Sequence, residues 1–317
     1  MKKGVVIVAV VLIATGLALA AGAFAALGFD FLSLDFAEYE TNTYTIDEAV
    51  TRIEFQSGEA DLFLRPATDG VCSVVCYEPE GARHAVYAKD GTLRIVAEDS
   101  RPVWDTQLFS FKTPSVVVYL PETAYEALTV EGDTGSVSIP DEFSFGDVSV
   151  AVDTGDVTCG ASTVDRIAIR TSTGGIVVSH VHAGAIELSV STGRVLLEAV
   201  DCSETISIRV GTGKTELSDV SCRDFYTIGS SGKITLKNTV ASASFYIERG
   251  TGDVRFNNCD AGQITVKTST GKVTGTLRSE KVFTAKTSTG KVSVPESTAG
   301  GRCDITTSTG NITISIY

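Results

Sequence analysis

"KTSTGKV" spans residues 267–273, and the same seven residues occur again at residues 286–292. The two copies start 19 positions apart, and each contains a glycine that follows a threonine. Ten glycines of this kind, each after a serine or threonine, recur from position 135 onwards at intervals of 19 or 20 residues. A fixed period of this length indicates a stacked repeat architecture. The glycines are Gly135, Gly155, Gly174, Gly193, Gly213, Gly232, Gly252, Gly271, Gly290 and Gly310.

The residues around each glycine indicate β-strands. In one repeat, Ile234 and Leu236 flank Thr235 and lie two and four positions after Gly232. The segment TISIRV, residues 205–210, alternates in the same way before its own glycine. Alternation with a period of two is typical of a strand with one buried face. Each repeat is therefore predicted to contain a strand, a Ser/Thr-Gly turn, a second strand and a short return.

A chain that closes one circuit per repeat explains the constant period, and we call one such circuit a coil. Successive coils would stack about 4.8 Å apart, which is the spacing of neighbouring strands. Val195 should then contact Ile176 and Thr215, its equivalents in the two adjacent coils. A hairpin meander would also produce alternation and turns, but it would not hold equivalent apolar residues at a constant period. The predicted fold is all-β, a single-stranded β-solenoid with about 19–20 residues per coil.

The regular pattern covers only part of the chain. Residues 128–317 are predicted to form the regular β-solenoid, with the turn glycines bending each coil. Residues 44–127 show the same glycine-centred pattern at Gly58 and Gly91, but with longer intervals. We interpret this segment as irregular opening β-coils or as a small β-cap. Residues 30–43 are predicted to form a linker.

The N-terminus has the composition of a membrane segment. Residues 1–3 contain two lysines, and residues 4–29 carry no charge. A helix needs about 20 apolar residues to cross a bilayer, and positive residues stay on the cytoplasmic side. We predict a cytoplasmic tail (1–3), a transmembrane anchor (4–29) and a cell-membrane, single-pass protein with its bulk outside the cytoplasm. A cleaved signal peptide is the alternative, and it too would export the remainder.

The composition limits the possible partners. Hydrophobic residues make up 43% of the chain, which is enough for a folded protein, and the formal net charge is −13. An acidic surface repels nucleic-acid phosphates, so we expect no nucleic-acid partner. The predicted partners are the membrane, through the N-terminal helix, and a cell-envelope polymer, a surface ligand or a protein.

Seven cysteines in an exported chain raise the question of disulfides. Most occupy positions that other repeats fill with small apolar residues, so we predict buried thiols that act as core filling. Cys72 and Cys76 lie too far apart along one predicted strand to be joined. Cys202 and Cys222 lie on adjacent coils, and this is the one pair whose spacing permits a bond.

Few residues point to chemistry. Asp133 and Asp153 hold equivalent positions on adjacent coils, and Asp156 is near them. Stacked carboxylates could hold a divalent cation or act as acid and base, but exposed turn residues are the simpler interpretation. His180 and His182 alternate along one return without a third nearby histidine. We therefore predict no catalytic residues, no cofactor and no metal, with the three aspartates as weak metal candidates.

The segment PSVVVYLPETAYEALTVEGDTGSVSI, residues 114–139, resembles the entry of a bacterial domain of unknown function labelled "putative adhesin", with LiaG-like members. In that family a strand ends in proline, and Ser/Thr-Gly coils of about twenty residues follow. The resemblance covers residues 44–317. It implies a β-solenoid displayed at the bacterial envelope, in some members beside envelope-stress signalling systems. It offers no catalytic residues to transfer.

Three functions follow from these observations. The first is a membrane-anchored extracytoplasmic binding or scaffold surface, adhesive or related to envelope stress, and not an enzyme. The second is a self-assembling structural rod, like bactofilin-type solenoids. Only NITISIY follows Gly310, so the final coil should leave a bare strand edge that permits self-association. The third is a polysaccharide-active β-helix enzyme that uses Asp133, Asp153 and Asp156.

Overall fold

A computed structural model describes residues 11–19, 22, 25, 38–99 and 112–317 of the 317-residue chain. Residues 11–19 are helical. No helix among the described residues is long and apolar enough to cross a membrane, and most of the segment predicted as an anchor lies outside them. The remaining described residues form one 25-stranded sheet.

The strands are β1 (Tyr39–Ile46), β2 (Arg52–Glu59), β3 (Asp61–Pro66), β4 (Cys72–Pro79), β5 (Ala82–Lys89), β6 (Thr92–Asp99), β7 (Ser115–Leu120), β8 (Ala124–Thr134), β9 (Val137–Ile139), β10 (Ser144–Thr154), β11 (Val157–Cys159), β12 (Ser162–Thr173), β13 (Ile176–Ala183), β14 (Ala185–Thr192), β15 (Val195–Cys202), β16 (Thr205–Thr212), β17 (Thr215–Ser231), β18 (Ile234–Lys237), β19 (Val240–Thr251), β20 (Val254–Thr270), β21 (Val273–Leu277), β22 (Lys281–Thr289), β23 (Val292–Ser293), β24 (Gly301–Thr309) and β25 (Ile312–Ile316).

The strands from β8 onwards stack as parallel coils. Val195 pairs with Ile176 on one side and with Thr215 on the other, as the period predicts. In each coil one ladder runs up to the turn glycine and a second ladder begins two residues after it. The predicted all-β solenoid is therefore confirmed.

The turn glycines have φ values between 131° and 159°, a region that a side chain rarely allows. Neighbouring coils also approach closely at these turns. A Cβ atom on Gly174 would lie 2.0 Å from the carbonyl oxygen of Gly155. The N–H of Gly155 donates to the carbonyl of Thr173 at 2.9 Å, which ties each turn to the next.

A second bend, six residues after the turn glycine, was not predicted from the sequence. Five non-glycine residues have φ between 48° and 58° there, and asparagine and aspartate tolerate this conformation best. Asn258 donates to Asn238, and Asn238 donates to Asp219, each at 2.8 Å, so a side-chain ladder lines the bend. The five residues are His180, Ala199, Asp219, Asn238 and Asn258.

The order of the last two coils corrects a prediction. Strand β20 pairs with β24, and β22 pairs with the other side of β24. The coil of Gly310 therefore lies between those of Gly271 and Gly290, and the outer edge belongs to β22 and β23. The prediction that the last coil in the sequence leaves a bare strand edge was wrong, because the chain skips one coil position and then returns to fill it.

The opposite end of the solenoid shows a similar exchange. Strands β2 and β3 are inserted between β6–β7 and β8–β9 as an additional coil. Strands β1, β4 and β5 pair antiparallel and cover this end. The segment predicted as opening coils or a cap therefore contains both.

The core runs through the coils as ladders of buried aliphatic and aromatic residues. All seven cysteines lie in it as free thiols, so the Cys202–Cys222 bond is not formed. Burial raises the pKa of Cys222 to about 12. Buried thiols of this kind are poor nucleophiles and serve as core filling.

Candidate functional site

A groove of about 830 Å³ follows the outward face of five adjacent strands, from β16 through β17, β19 and β20 to β24. Small residues form its floor, because Gly211, Ser230 and Gly250 succeed one another at equivalent positions of adjacent coils. Larger side chains, among them Arg209, Glu248 and Lys267, stand two residues before this row. We refer to this feature as the tyrosine groove, after the two tyrosines described below.

A buried guanidinium lies under the floor of the tyrosine groove. Arg249 is only 1% exposed, although its equivalents in neighbouring coils are apolar or small. Its Nη1 donates to the carbonyl of Val210 at 2.9 Å, and its Nη2 donates to Oγ1 of Thr215 at 3.2 Å. The side chain crosses above Gly229, where an added Cβ would lie 1.9 Å from Nη1. The glycine of one coil thus makes room for the arginine of the next.

The charge of Arg249 has no counterion in the part of the chain that the structure describes, since no carboxylate there lies within ion-pairing distance. Its Nε also lacks a hydrogen-bond partner among these residues. Burial lowers the pKa of the Arg249 guanidinium, yet an arginine stays charged in proteins. An uncompensated buried charge is costly, and a bound anion would relieve that cost.

Tyr226 lines the groove, and Tyr246 lies beside it at the equivalent position of the adjacent coil. The rings of Tyr226 and Tyr246 stack with centroids 5.0 Å apart and an interplanar angle of 12°. Lys267 Nζ lies 5.4 Å from the centroid of the Tyr246 ring. Tyr246 donates its hydroxyl hydrogen to Glu248, which raises the pKa of the tyrosine.

Arg209 adds a third positive side chain at the groove and pairs with Glu187 at 3.1 Å. Arginine binds carboxylates with two parallel hydrogen bonds, and aromatic faces provide flat apolar contact. Together these groups suit a flat polar ligand that carries carboxylates, such as a sugar acid. Of the described residues, three basic ones and the single carboxylate of Glu248 line the groove, so its lining is net positive on a chain with a net charge of −13.

The aspartates singled out in the sequence are not part of this groove. Asp156 Oδ1 accepts the backbone N–H of Gly175 at 2.7 Å, which holds the next coil in register. Asp153 Oδ1 accepts a long hydrogen bond of 3.5 Å from Ser172. Asp133 borders a separate cleft near the N-terminal cap. The role of Asp156 is structural in this geometry, and equivalent acids repeat it on other coils.

The two alternating histidines also lie apart from the groove. His180 adopts a positive φ of 58° at the second bend. His182 Nδ1 lies 3.6 Å from Oδ2 of Asp201, and both side chains are exposed.

Sequence reasoning missed the tyrosine groove, although the signal was present in the repeat. Tyr226 and Tyr246 occupy the same position in adjacent coils, and Arg249 stands where Val210 stands two coils earlier. A polar residue at an apolar position of a repeat is a recognisable exception. The sequence alone could not predict that the Arg249 guanidinium crosses above Gly229.

Among the described residues, one group of three potential metal ligands is close enough to share an ion. Cys76, Glu78 and His84 are buried, and their ligand atoms lie within 4.8 Å of one another. Glu78 Oε2 already accepts hydrogen bonds from His84 Nδ1 at 2.7 Å and from His84 N at 2.8 Å. These groups therefore satisfy one another without a cation.

Comparison with solved structures identifies similar folds at low sequence identity. A putative lipid-binding protein from Parabacteroides distasonis is 17% identical, with a TM-score of 0.53, and the match covers 76% of this chain and 98% of the other. A putative adhesin from Parabacteroides merdae is 12% identical, with a TM-score of 0.48 and coverages of 87% and 97%. One from Bacteroides fragilis is 14% identical, with a TM-score of 0.44 and coverages of 88% and 97%. The first similarity supports the fold.

A search of curated proteins gave no match. A family profile, in contrast, matches most of the chain. The profile of the Toastrack DUF4097 family matches residues 50–204 and again residues 200–317, so two copies cover the whole solenoid. The stacked coils of the structure and the resemblance at residues 114–139 agree with this assignment. The chain therefore belongs to the Toastrack DUF4097 family, a domain of unknown function.

Proposed function

We propose that this protein is a membrane-anchored, extracytoplasmic β-solenoid whose tyrosine groove binds an anionic polymer of the cell envelope, such as an acidic glycan. The observation that carries the proposal is the buried guanidinium of Arg249, which lacks a counterion within the described part of the chain. A carboxylate bound in the groove would lie above this buried charge and offset part of its cost through the floor of small residues. The ring face of Tyr226 that is turned away from Tyr246 would contact a sugar ring.

The charge distribution would direct an anionic polymer to the tyrosine groove. A net charge of −13 repels polyanions over most of the surface. Arg209 and Lys267 are exposed beside the groove and would attract one stretch of such a polymer. Affinity should weaken as salt rises, because these charges are exposed.

The anchor part of the proposal depends on residues 4–29, which carry no charge and follow Lys2 and Lys3. Protease treatment of intact cells tests it, and digestion of the solenoid from outside is the expected result. Protection in intact cells, with digestion after lysis, would contradict the extracytoplasmic location. The names of the similar proteins, which mention adhesion or lipid binding, agree with a surface role but do not identify a ligand. A connection to envelope stress stays a prediction from the family resemblance.

The binding experiment uses the full chain in detergent micelles with polygalacturonate as the anionic probe and dextran as the neutral one. Tyr226→Ala and Lys267→Ala should each weaken polygalacturonate binding by about tenfold, which corresponds to about 1.4 kcal/mol. Tyr87→Ala and Lys237→Ala are matched controls, because both residues are exposed and lie away from the groove. Equal affinity for both polymers, or equal losses in the control variants, would refute the groove as the site.

Self-assembly is a second candidate, and the β22 edge favours it. Val282 is 40% exposed and Val292 is 44% exposed on the two edge strands, and β22 pairs only with β24 among the described strands. An uncovered edge with apolar residues is a site for pairing with another chain. Sedimentation of the full chain in detergent should then show concentration-dependent oligomers that Val282→Lys abolishes. A monomer at every concentration would remove this candidate.

A further inference from the structure

A hydrogen-bonded chain of three side chains lies at the N-terminal cap, away from the tyrosine groove. His84 Nε2 lies 3.1 Å from Oγ of Ser57, and His84 Nδ1 lies 2.7 Å from Oε2 of Glu78. The three residues come from β2, β4 and β5, so the antiparallel cap brings them together. Neither the family assignment nor the proposed glycan binding uses them.

Glu78 is held in a fixed orientation. It is fully buried, its Oε1 accepts a hydrogen bond from Asn42 Nδ2 at 2.8 Å, and its Oε2 accepts the backbone N–H of His84 at 2.8 Å. A carboxylate in this position keeps the hydrogen of the imidazole on Nδ1. The lone pair of Nε2 then points at the hydroxyl of Ser57, which is the tautomer that a general base requires.

The buried end of this chain leads to solvent at Ser57. The half-buried Ser57 borders an open cleft of about 310 Å³, whereas His84 is only 5% exposed. The cleft lies where the ladder is interrupted, because β2 pairs with β6 only up to Gln56 and the next ladder, between β3 and β7, begins at Asp61. The residue opposite Ser57 on β8 is Gly132, which places no side chain in the opening.

The same histidine and glutamate could instead be metal ligands together with Cys76. The hydrogen bonds argue against that role. His84 Nδ1 and Glu78 Oε2 are joined directly at 2.7 Å, so a cation would have to replace the hydrogen between them. The arrangement Ser–His–Glu needs no such change, and it is the geometry of a nucleophile, a base and a group that orients the base.

We propose that Ser57, His84 and Glu78 form a hydrolytic triad that cleaves small uncharged or cationic esters. The carboxylates of Glu131 and Asp133 border the cleft, which disfavours anionic substrates. Ser57 Oγ bonds to the ester carbonyl carbon while its proton moves to His84 Nε2. The carbon–oxygen bond to the alcohol breaks, and the alcohol departs with that proton. Water, deprotonated by His84, then releases the acyl group as a carboxylic acid and restores Ser57.

The primary experiment treats the full chain in detergent with a fluorophosphonate probe and, separately, with p-nitrophenyl acetate. We expect covalent labelling at Ser57 and ester hydrolysis that falls by roughly a hundredfold or more in Ser57→Ala and His84→Asn. Ser138→Ala is the matched control, since Ser138 is a half-buried serine on a neighbouring coil. Labelling that is absent in the parent chain, or that persists in Ser57→Ala, would overturn the proposal.

Two further measurements separate a triad from a purely structural network. Glu78→Gln, a change in a positioning residue, should lower kcat for the ester with little change in KM. The thiol of a Ser57→Cys variant should react with iodoacetamide at least about tenfold faster than the same thiol in the double variant Ser57→Cys/His84→Asn. Equal rates would contradict activation by His84. Hydrolysis that chelators remove and Zn²⁺ restores would assign the cluster to a metal instead.

Discussion

Arg249→Met tests whether the buried guanidinium is present for binding and not for stability. The change removes the hydrogen bonds to Val210 and Thr215, and hydrogen bonds to charged groups contribute about 1.5–3 kcal/mol each. It also removes a charge that has no counterion among the described residues, and burying an ion costs several kcal/mol. Methionine is similar in length and fills irregular space well. We expect the free energy of unfolding to rise by about 1–2 kcal/mol, within the range seen for such replacements.

Equilibrium denaturation of the full chain in detergent, with the parent protein at the same salt concentration, measures this difference. The same variant should lose polygalacturonate binding, so stability and binding move in opposite directions. Arg209→Met is the control for the stability measurement alone, since Arg209 is exposed and its pair with Glu187 should contribute less than about 1 kcal/mol. A variant that is destabilised by more than about 1 kcal/mol, or that binds as before, would refute this reasoning.

Three other predictions test the fold. Gly174→Ala should lower the free energy of unfolding by more than about 3 kcal/mol, because its Cβ would meet the Gly155 carbonyl oxygen at 2.0 Å. The control Gly70→Ala, whose Cβ would enter open space, should lower it by only about 1 kcal/mol. Equal losses of the two variants in chemical denaturation would contradict close contact between coils. In the native protein all seven thiols should stay unreactive towards a thiol reagent, because they are buried and burial raises the pKa of Cys222 to about 12. Rapid labelling of the native protein would contradict the buried positions. Burial alone would raise the pKa of Asp260, but hydrogen bonds from Lys281 and Ser279 outweigh it and lower the pKa. Asp260 therefore stabilises the fold fully above its unfolded pKa of about 3.9, and this contribution is lost as pH falls through the lower folded pKa. The melting temperature of the parent protein should exceed that of Asp260→Asn by less at about pH 3 than at about pH 6. A constant difference would exclude this linkage.

The regular part of the solenoid could be predicted from the sequence because its information is local and repeated. A glycine every 19 or 20 residues, with apolar residues two and four positions later, specifies the turn and the buried face of each coil. Equivalent positions then stack, as the partners of Val195 show. The free thiols followed from the same alignment, since their positions are apolar in neighbouring coils.

The candidate sites were harder to predict from the sequence, because they depend on exceptions to the repeat. Arg249 departs from an apolar ladder, but only its path over Gly229 leaves the guanidinium without a counterion in the described structure. Ser57, Glu78 and His84 are separated by up to 27 residues and meet through antiparallel pairings that have no periodic signal. The turn aspartates were visible in the sequence, and Asp156 is used to hold the next coil.

The sequence by itself determined the coil, because the period, the glycine turns and the alternation of apolar residues act within a few residues of one another. It did not determine the order of the last two coils. Both carry the same Ser-Thr-Gly turn, and parallel backbone ladders pair equally well with either, so only the packed structure places the coil of Gly310 inside that of Gly290. The tertiary structure likewise decided which charges are buried and which strand edge is open, because these depend on contacts between residues far apart in the chain.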